Sequence, residues 1–307
     1  MKERKQQPMN KYDRRRKYYL VLDCETATLP IANEYENEVQ KKRISIMKPL
    51  IYDLGWTVID SKGNIYAKKN YLISEIFSVP SIFDTAYYKD KRNLYLDKLQ
   101  KGEIVLTSWL TASRELIEDL QAVEGVGAYN SMFDYKKAIP FTDLYISMLY
   151  SPDFHSWLAY QEQICIWLAD GGKPMNEEEN KDFEPLVFRY KETAYPLFDI
   201  WGLACSHLLD CAEYKQLCLE REWRTASGKY FITNAEKAYA FLSGETEFSE
   251  AHTAIDDCLI ESAIFAEIVK RTKNKWEMGI SYFPFRELGT VEAFCLQNNI
   301  DNPWGED

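Results

Sequence analysis

Tyr18-Tyr19-Leu20-Val21-Leu22-Asp23-Cys24-Glu25-Thr26 is the stretch that decides the fold of this 307-residue chain. Its leading aromatic and aliphatic residues offer apolar side chains to both faces, the pattern of a strand covered on both sides. Two carboxylates stand where that strand should end. Asp23 and Glu25 are two residues apart, so in extended backbone they face the same side, close enough to share a cation. A lone D-x-E pair is common at solvated strand ends, and its weight depends on what lies downstream.

Working outward, residues 28 to 50 read as a loop bounded by Pro30 and Pro49, with a short helix around Glu34 to Lys42. Ile51 to Ile59, the turn Asp60-Ser61-Lys62-Gly63-Asn64 and Ile65 to Ile73 form a hairpin signature. Residues 75 to 102 read as helical and irregular. Leu106 to Ala122 is a clearer helix, with Trp109, Leu116, Ile117 and Leu120 on one face. Gly125 to Tyr129 is a short strand. Asn130 or Ser131 then caps a helix, which puts Asp134 in its first turn at the C-terminal edge of a sheet, where open α/β sheets place their ligands. Residues 141 to 195 read as an insertion, with a helix near Trp157 to Ala169, a breaker Gly171-Gly172-Lys173-Pro174 and an acidic run Glu177 to Glu179. Asp199 caps a helix running to about Glu220. A short extended piece at Tyr230 to Thr233 and a helix from Ala235 to Leu242 follow. Thr253 with Asp256 matches a capping box, which leaves Asp257 free one turn into an apolar helix reaching Lys270, with His252 just before it. His155 and His207 carry no assignable chemistry. Residues 272 to 307 form a C-terminal extension with one helix near Val291 to Gln297.

Composition bounds the class. With 46% hydrophobic residues and 14% aromatics the chain supports a packed core. It has no run of eighteen apolar residues, and Met1-Lys2-Glu3-Arg4-Lys5 leads into charge instead of a secretory segment, so a cytoplasmic protein is expected. Seven cysteines without a C-x-x-C pair fit reduced, buried thiols better than disulfides or zinc. The net charge of -11 lowers the expectation of a nucleic-acid protein, because affinity for phosphates comes mainly from cations. Residues 1 to 17, however, hold eight Lys/Arg against two acids. A basic tail over 1–16 therefore reads equally well as a disordered solubilising segment or as an arm that contacts phosphates. A metal-dependent phosphodiesterase must gather carboxylates at its centre, where bound divalent ions reverse the local sign.

Asp23-x-Glu25-Thr26, Asn130-x-x-Phe133-Asp134 and His252-x(4)-Asp257 together resemble the three motifs of the DEDD superfamily of 3'-to-5' exonucleases. The resemblance is to the histidine subgroup, which includes the proofreading subunit of bacterial DNA polymerase III. Thr253 stands where the tyrosine subgroup has its tyrosine. The resemblance spans roughly residues 17 to 271, interrupted at 141–195, and leaves both tails outside. It implies an α/β, RNase H-like fold with a mixed five-stranded sheet flanked by helices. It implies two divalent cations, Mg2+ or Mn2+, which an oxygen-only donor set suits. Such ions sit roughly 3.5 to 4 Å apart in two-metal phosphodiester hydrolysis, one activating water and one stabilising the leaving oxygen. By resemblance Asp23 bridges both ions, Glu25 and Asp257 hold the first, Asp134 supports the second, and His252 is the general base. Phe133 would stack on the terminal base, with Thr26 and Asn130 positioning the last nucleotide. The expected substrate is the 3' end of single-stranded DNA, in proofreading or DNA processing. A DNA polymerase or replication partner would fit that role, although no partner-binding motif is visible. An RNA-directed exonuclease on the same scaffold is not separated by these motifs, since discrimination rests on contacts to the 2'-OH. A non-catalytic nucleic-acid-binding protein would have been supported by loss of an acid, and none is missing.

Overall fold

The opening apolar run becomes β1 (Tyr18–Ala27), the middle strand of a seven-stranded mixed sheet. Its side chains divide by parity. Tyr18, Leu20, Leu22 and Cys24 enter a first core, whereas Tyr19 and Val21 enter a second core on the opposite face. That split is what a strand covered on both sides requires. The structure is a computed structural model and describes residues 16–172, 186–190, 193–277 and 283–304. The expectations for the basic tail up to residue 15 and for the acidic run Glu177 to Glu179 lie outside the described residues.

β2 (Leu50–Asp60) and β3 (Ile65–Ile73) form the expected antiparallel hairpin. At its turn Gly63 takes φ 80° and its N–H donates to the Asp60 carbonyl at 2.9 Å, a backbone conformation that glycine adopts without a Cβ penalty. β4 (Val105–Thr107) adds parallel to β3. On the other side of β1 lie β5 (Gly125–Ala128) and then β7 (Thr193–Asp199), both parallel, with β6 (Leu186–Tyr190) antiparallel at the edge. The order is β4-β3-β2-β1-β5-β7-β6. The mixed α/β architecture with helices on both faces is compatible with an RNase H-like fold. The sheet has seven strands where five were expected; four of them, β1, β2, β3 and β5, lie where the sequence placed strands.

Several boundaries differ from the sequence reading. The helix expected from Leu106 is Trp109–Leu120, because Leu106 belongs to β4 and the Ser108 side chain caps the helix by accepting from the Thr111 N–H at 3.3 Å. The end of the stretch read as an insertion is β7, whose Tyr195, Leu197 and Phe198 are buried. The loop from 28 to 50 holds a full helix, Glu38–Met47, capped by Asn37. This helix packs on Phe154–Ala169, where Arg43 donates to the Ala169 carbonyl at 3.2 Å and Lys48 to Gln161 at 2.7 Å. The helix expected from Asp199 to Glu220 is broken into Ile200–Ala204, a π turn Cys205–Leu209 and Ala212–Glu220. No described helix is long and apolar enough to cross a membrane.

One contact sets the geometry that matters most for the site. The long helix Ala254–Arg271 lies across β1 and β2 with its N-terminus against Gly55. A Cβ at Gly55 would come within 2.6 Å of the Ala254 carbonyl carbon, so only glycine admits the helix at this depth. Gly55 pairs with Asp23 across the strands. The same approach therefore delivers the first turn of the helix to the end of β1.

Candidate active site

The C-terminal end of β1 is gripped from both faces. Asp23 and Glu25 share the parity of Tyr19 and Val21, so they face the second core side, as extended backbone dictates. The register with β2 shifts between Glu25 and Thr26, a bulge that ends regular pairing just after the second carboxylate. Asp53, the cross-strand partner of Glu25, is fully buried and accepts from the Ala254 N–H at 3.0 Å and from Asn70 at 2.5 Å.

This corrects the expected capping box. Thr253 occupies the N-cap position but its side chain caps nothing; its hydroxyl donates to Asp256 at 2.6 Å, and Lys98 pairs with the same carboxylate at 2.8 Å. The helix N-terminus is satisfied from the sheet by Asp53 instead. A partly positive helix end next to a carboxylate is electrostatically favourable, so the arrangement is stable even though its partners are about 200 residues apart in sequence.

From the other side comes Asp134. The chain leaves β5 through Asn130, a non-glycine residue at φ 79°, into Ser131–Phe133 and a π turn, Asp134–Ala138. Pro140 has no N–H for the Lys136 carbonyl, and the backbone widens there, with the Ile139 N–H reaching the Asp134 carbonyl. Neither Asn130 nor Ser131 caps this start through its own side chain. Asp199 does so from the end of β7, accepting from the N–H groups of Asn130 at 3.1 Å and Ser131 at 2.9 Å while also accepting from Gly202 at 3.0 Å in its own helix. Asp134 is thereby fixed beside β1, where the buried Cys24 thiol donates to its Oδ1 at 3.0 Å.

The four acids face one another electrostatically. Asp23 is raised well above the ordinary carboxylate range, chiefly by burial and then by Glu261, Asp134, Asp257 and Glu25. Burial and Asp257 likewise raise Glu25, which Lys91 partly opposes. Burial pushes Asp134 to about 7 against the bonds from Cys24, and burial with Asp256 pushes Asp257 to about 7. Like charges held this close favour either a proton or a cation between them.

Ligand atoms of Glu25, His252 and Asp257 lie within 4.8 Å of one another. Asp23 and Asp134 join the cluster through their charge interactions and not through that tight set. The Asp257 Oδ1 is buried and has no hydrogen-bond partner, an acceptor that a cation would satisfy. With an oxygen-rich donor set, the residues present fit a hard divalent ion.

His252 sits in a strained left-handed backbone conformation, φ 50°. Its Nδ1 is 3.9 Å from Asp257 and 3.5 Å from Glu250. Its ring stacks on Tyr88 with centroids 4.6 Å apart and planes 14° from parallel. Burial and the nearby Lys91 cation hold its pKa below the usual imidazole value, against the pull of Glu236. Of the expected substrate contacts, Thr26 is half-buried at the bulge, Asn130 is exposed beside Asp134, and Phe133 is half-buried against the first core.

Several residues of the site are absent from the motif reading. Glu261 is buried one turn beyond Asp257, accepts from the Tyr129 N–H at 3.1 Å and is raised by burial and by Asp134. Its four-residue spacing from Asp257 was a visible signal. Glu250, in Glu250-x-His252, is raised to about 8 by burial and Asp257, and its Oε1 is also without a partner. Tyr88, Lys91, Asp53 and the double cap by Asp199 had no local signal. Comparison with family models, curated proteins and solved structures gives no match to this chain.

Proposed function

We propose that this protein is a divalent-cation-dependent 3'-to-5' exonuclease that releases nucleoside 5'-monophosphates from single-stranded DNA 3' ends. The observation that supports it is the convergence on the end of β1 of Asp23, Glu25, Asp134 and Asp257 with His252, each in the order and local structure that the motifs imply. In this reading Asp23, Glu25, Asp134 and Asp257 hold two ions of the Mg2+ or Mn2+ class. Bound there, the ions supply charge neutralisation and water activation for an in-line displacement at phosphorus.

The chain's own residues do the rest. His252, uncharged near neutrality because its pKa is held low, is able to accept the proton of the attacking water. Cys24 keeps Asp134 oriented by donating to one of its oxygens. Phe133 offers part of an aromatic face beside Asp134 for the terminal base, which favours an unpaired end because stacking on protein requires the base to leave its duplex neighbours.

The test is digestion of 3'-labelled, 5'-labelled and closed circular single strands, DNA and RNA in parallel, with Mg2+, Mn2+ or chelator. The expected result is stepwise release of 5'-monophosphates from free 3' ends, abolished by chelation and by a blocked 3' end. Cleavage of the circle would refute the polarity. Equal loss of RNA and DNA would assign the same site a broader substrate, and absence of hydrolysis under all conditions would overturn the reading.

A further inference from the structure

We infer that Tyr88 and Lys91 form a clasp that positions His252. They are positioning residues for the reaction, supplied by a segment that none of the three motifs includes. The inference rests on the reading of His252 as general base. Four contacts carry it. The Tyr88 ring lies nearly parallel to the imidazole at 4.6 Å, covering one of its faces. Lys91 Nζ donates to the Ala251 carbonyl at 2.6 Å and to the His252 carbonyl at 3.4 Å, holding the peptides before and after the histidine. The same ammonium lies 4.2 Å from the centre of the Tyr88 ring, so the two clasp residues also hold each other.

The clasp addresses a specific physical need. A histidine with φ 50° is outside its preferred backbone region and persists only where its surroundings over-determine it. Its flanks are tied down, the Glu250 N–H by Glu236 at 3.2 Å and the buried Thr253 by Asp256 at 2.6 Å, but these bonds do not reach the imidazole, and Ala251 beside it is exposed. Among the described residues the His252 ring makes no hydrogen bond at ordinary distance; Glu250 lies at 3.5 Å, Asp257 at 3.9 Å and a Glu236 oxygen within 4.8 Å. Stacking and the two lysine bonds are therefore the contacts that select one orientation of the imidazole. A base must be held to within a fraction of an ångström, and misplacement by about 1 Å costs on the order of 10²-fold in rate.

The experiment compares Tyr88→Phe, Tyr88→Leu, Lys91→Met and Lys91→Arg with the full wild-type chain. Phenylalanine keeps the stack, and arginine keeps a cation with donors. The expected result is a kcat within about threefold of wild type for Tyr88→Phe, and a drop of about 10²-fold for Tyr88→Leu and Lys91→Met. KM for oligonucleotide and the Mg2+ midpoint should stay within twofold, and the circular dichroism spectra should be unchanged. Lys91→Arg should fall between.

A second readout does not require activity. The chain has three histidines, so the His252 Cε1–H signal is assignable by NMR, and stacking on tyrosine should shift it upfield. That shift should be kept in Tyr88→Phe and lost in Tyr88→Leu. An unchanged shift, or an unchanged kcat, in Tyr88→Leu overturns the clasp. A wild-type protein without nuclease activity overturns the functional reading instead, while the NMR comparison still decides whether the ring is held.

Discussion

The two halves of the candidate site are built by different means. At the first motif, Asp23 and Glu25 are placed by ten residues of continuous strand, paired on both sides and buried in two cores. Strand periodicity alone puts both carboxylates on one face. At the third motif, His252 and Asp257 are placed by contacts from elsewhere: Asp53 of β2 holds the helix start, Gly55 admits it, Lys98 fastens Asp256, and Tyr88 with Lys91 hold the histidine. One half is rigid because of its own sequence and the other because of its neighbours. Substitution at the first half should therefore alter chemistry without altering fold, whereas the second half should be open to disruption from a distance.

The largest expected effect comes from the rigid half. Asp23→Asn should abolish metal-dependent turnover and leave the circular dichroism spectrum intact, because the side chain is held by the strand and not the reverse. Without metal the variant should be more stable than wild type, since Asp23 is raised by burial and by the repulsion of Glu261, Asp134, Asp257 and Glu25. Turnover near the wild-type rate in Mg2+ would remove Asp23 from the site, and a lower melting temperature in chelator would show that its charge is compensated.

Next comes the half held by its neighbours. His252→Asn should lose on the order of 10² to 10⁴ in rate while retaining affinity for Mg2+ and oligonucleotide. Asparagine tolerates positive φ, so the backbone at φ 50° should be preserved. The wild-type rise of rate with pH through the imidazole titration should disappear. If metal affinity falls as far as in Asp257→Asn, the histidine is a ligand and not a base, which the 4.8 Å grouping of Glu25, His252 and Asp257 makes a real alternative outcome.

A smaller effect should follow from pushing the halves apart. In Gly55→Ala the new Cβ meets the Ala254 backbone, which has no rotamer to move into, so the helix must shift. Overpacking of this kind costs about 1–3 kcal/mol. It should lower the urea midpoint and, by carrying Asp257 away from Asp23, reduce turnover at fixed Mg2+ with partial rescue at higher Mg2+. A stability loss with unaltered metal dependence would show that Asp257 is not positioned through this contact.

The same difference explains what the sequence disclosed. β1, the hairpin and the first-turn placement of Asp134 and Asp257 follow from periodicity and turn chemistry, which act over a few residues, and the three motifs were legible on that basis. β7 was hidden because its polar and aromatic residues, Thr193 to Tyr195, do not make a clean apolar run, and β4 because three residues carry no period. The sequence points to Asn130, Ser131 and Thr253 as the side chains that cap two helices, and the structure replaces all three for one reason. Local polar side chains were available, yet buried carboxylates from the sheet, Asp199 and Asp53, took the N–H groups. Nothing near Tyr88 marks it as a neighbour of His252, since that pairing exists only once the Ala251–His252 peptide is brought to the 88–91 segment.

The smallest expected effect, and the one that reads both halves together, is the pH dependence of the metal-free protein. Asp134 and Asp257 stand at about 7 and Glu250 at about 8, all above their ordinary values because of burial and neighbouring acids. A carboxyl raised in the folded state binds its proton more tightly there than in the unfolded chain. Its contribution is fully present below the unfolded pKa, near 4, and is lost as pH rises through the folded value. His252 works in the opposite sense, because its folded pKa is held low and stability is gained as pH rises through the imidazole range; it is half-exposed and single, so the acids prevail. Carboxylates held low by partners, Asp60, Glu115, Asp256 and Glu236, lose their contribution only below about pH 4. In chelator, thermal stability should therefore fall by several degrees between pH 5 and pH 8, and saturating Mg2+ should flatten that slope by offsetting the repulsion. Asp23→Asn should flatten it without metal. A metal-free protein that gains stability across this interval would mean that the acids at the end of β1 are not buried together, and the convergence on which the catalytic reading rests would fail with it.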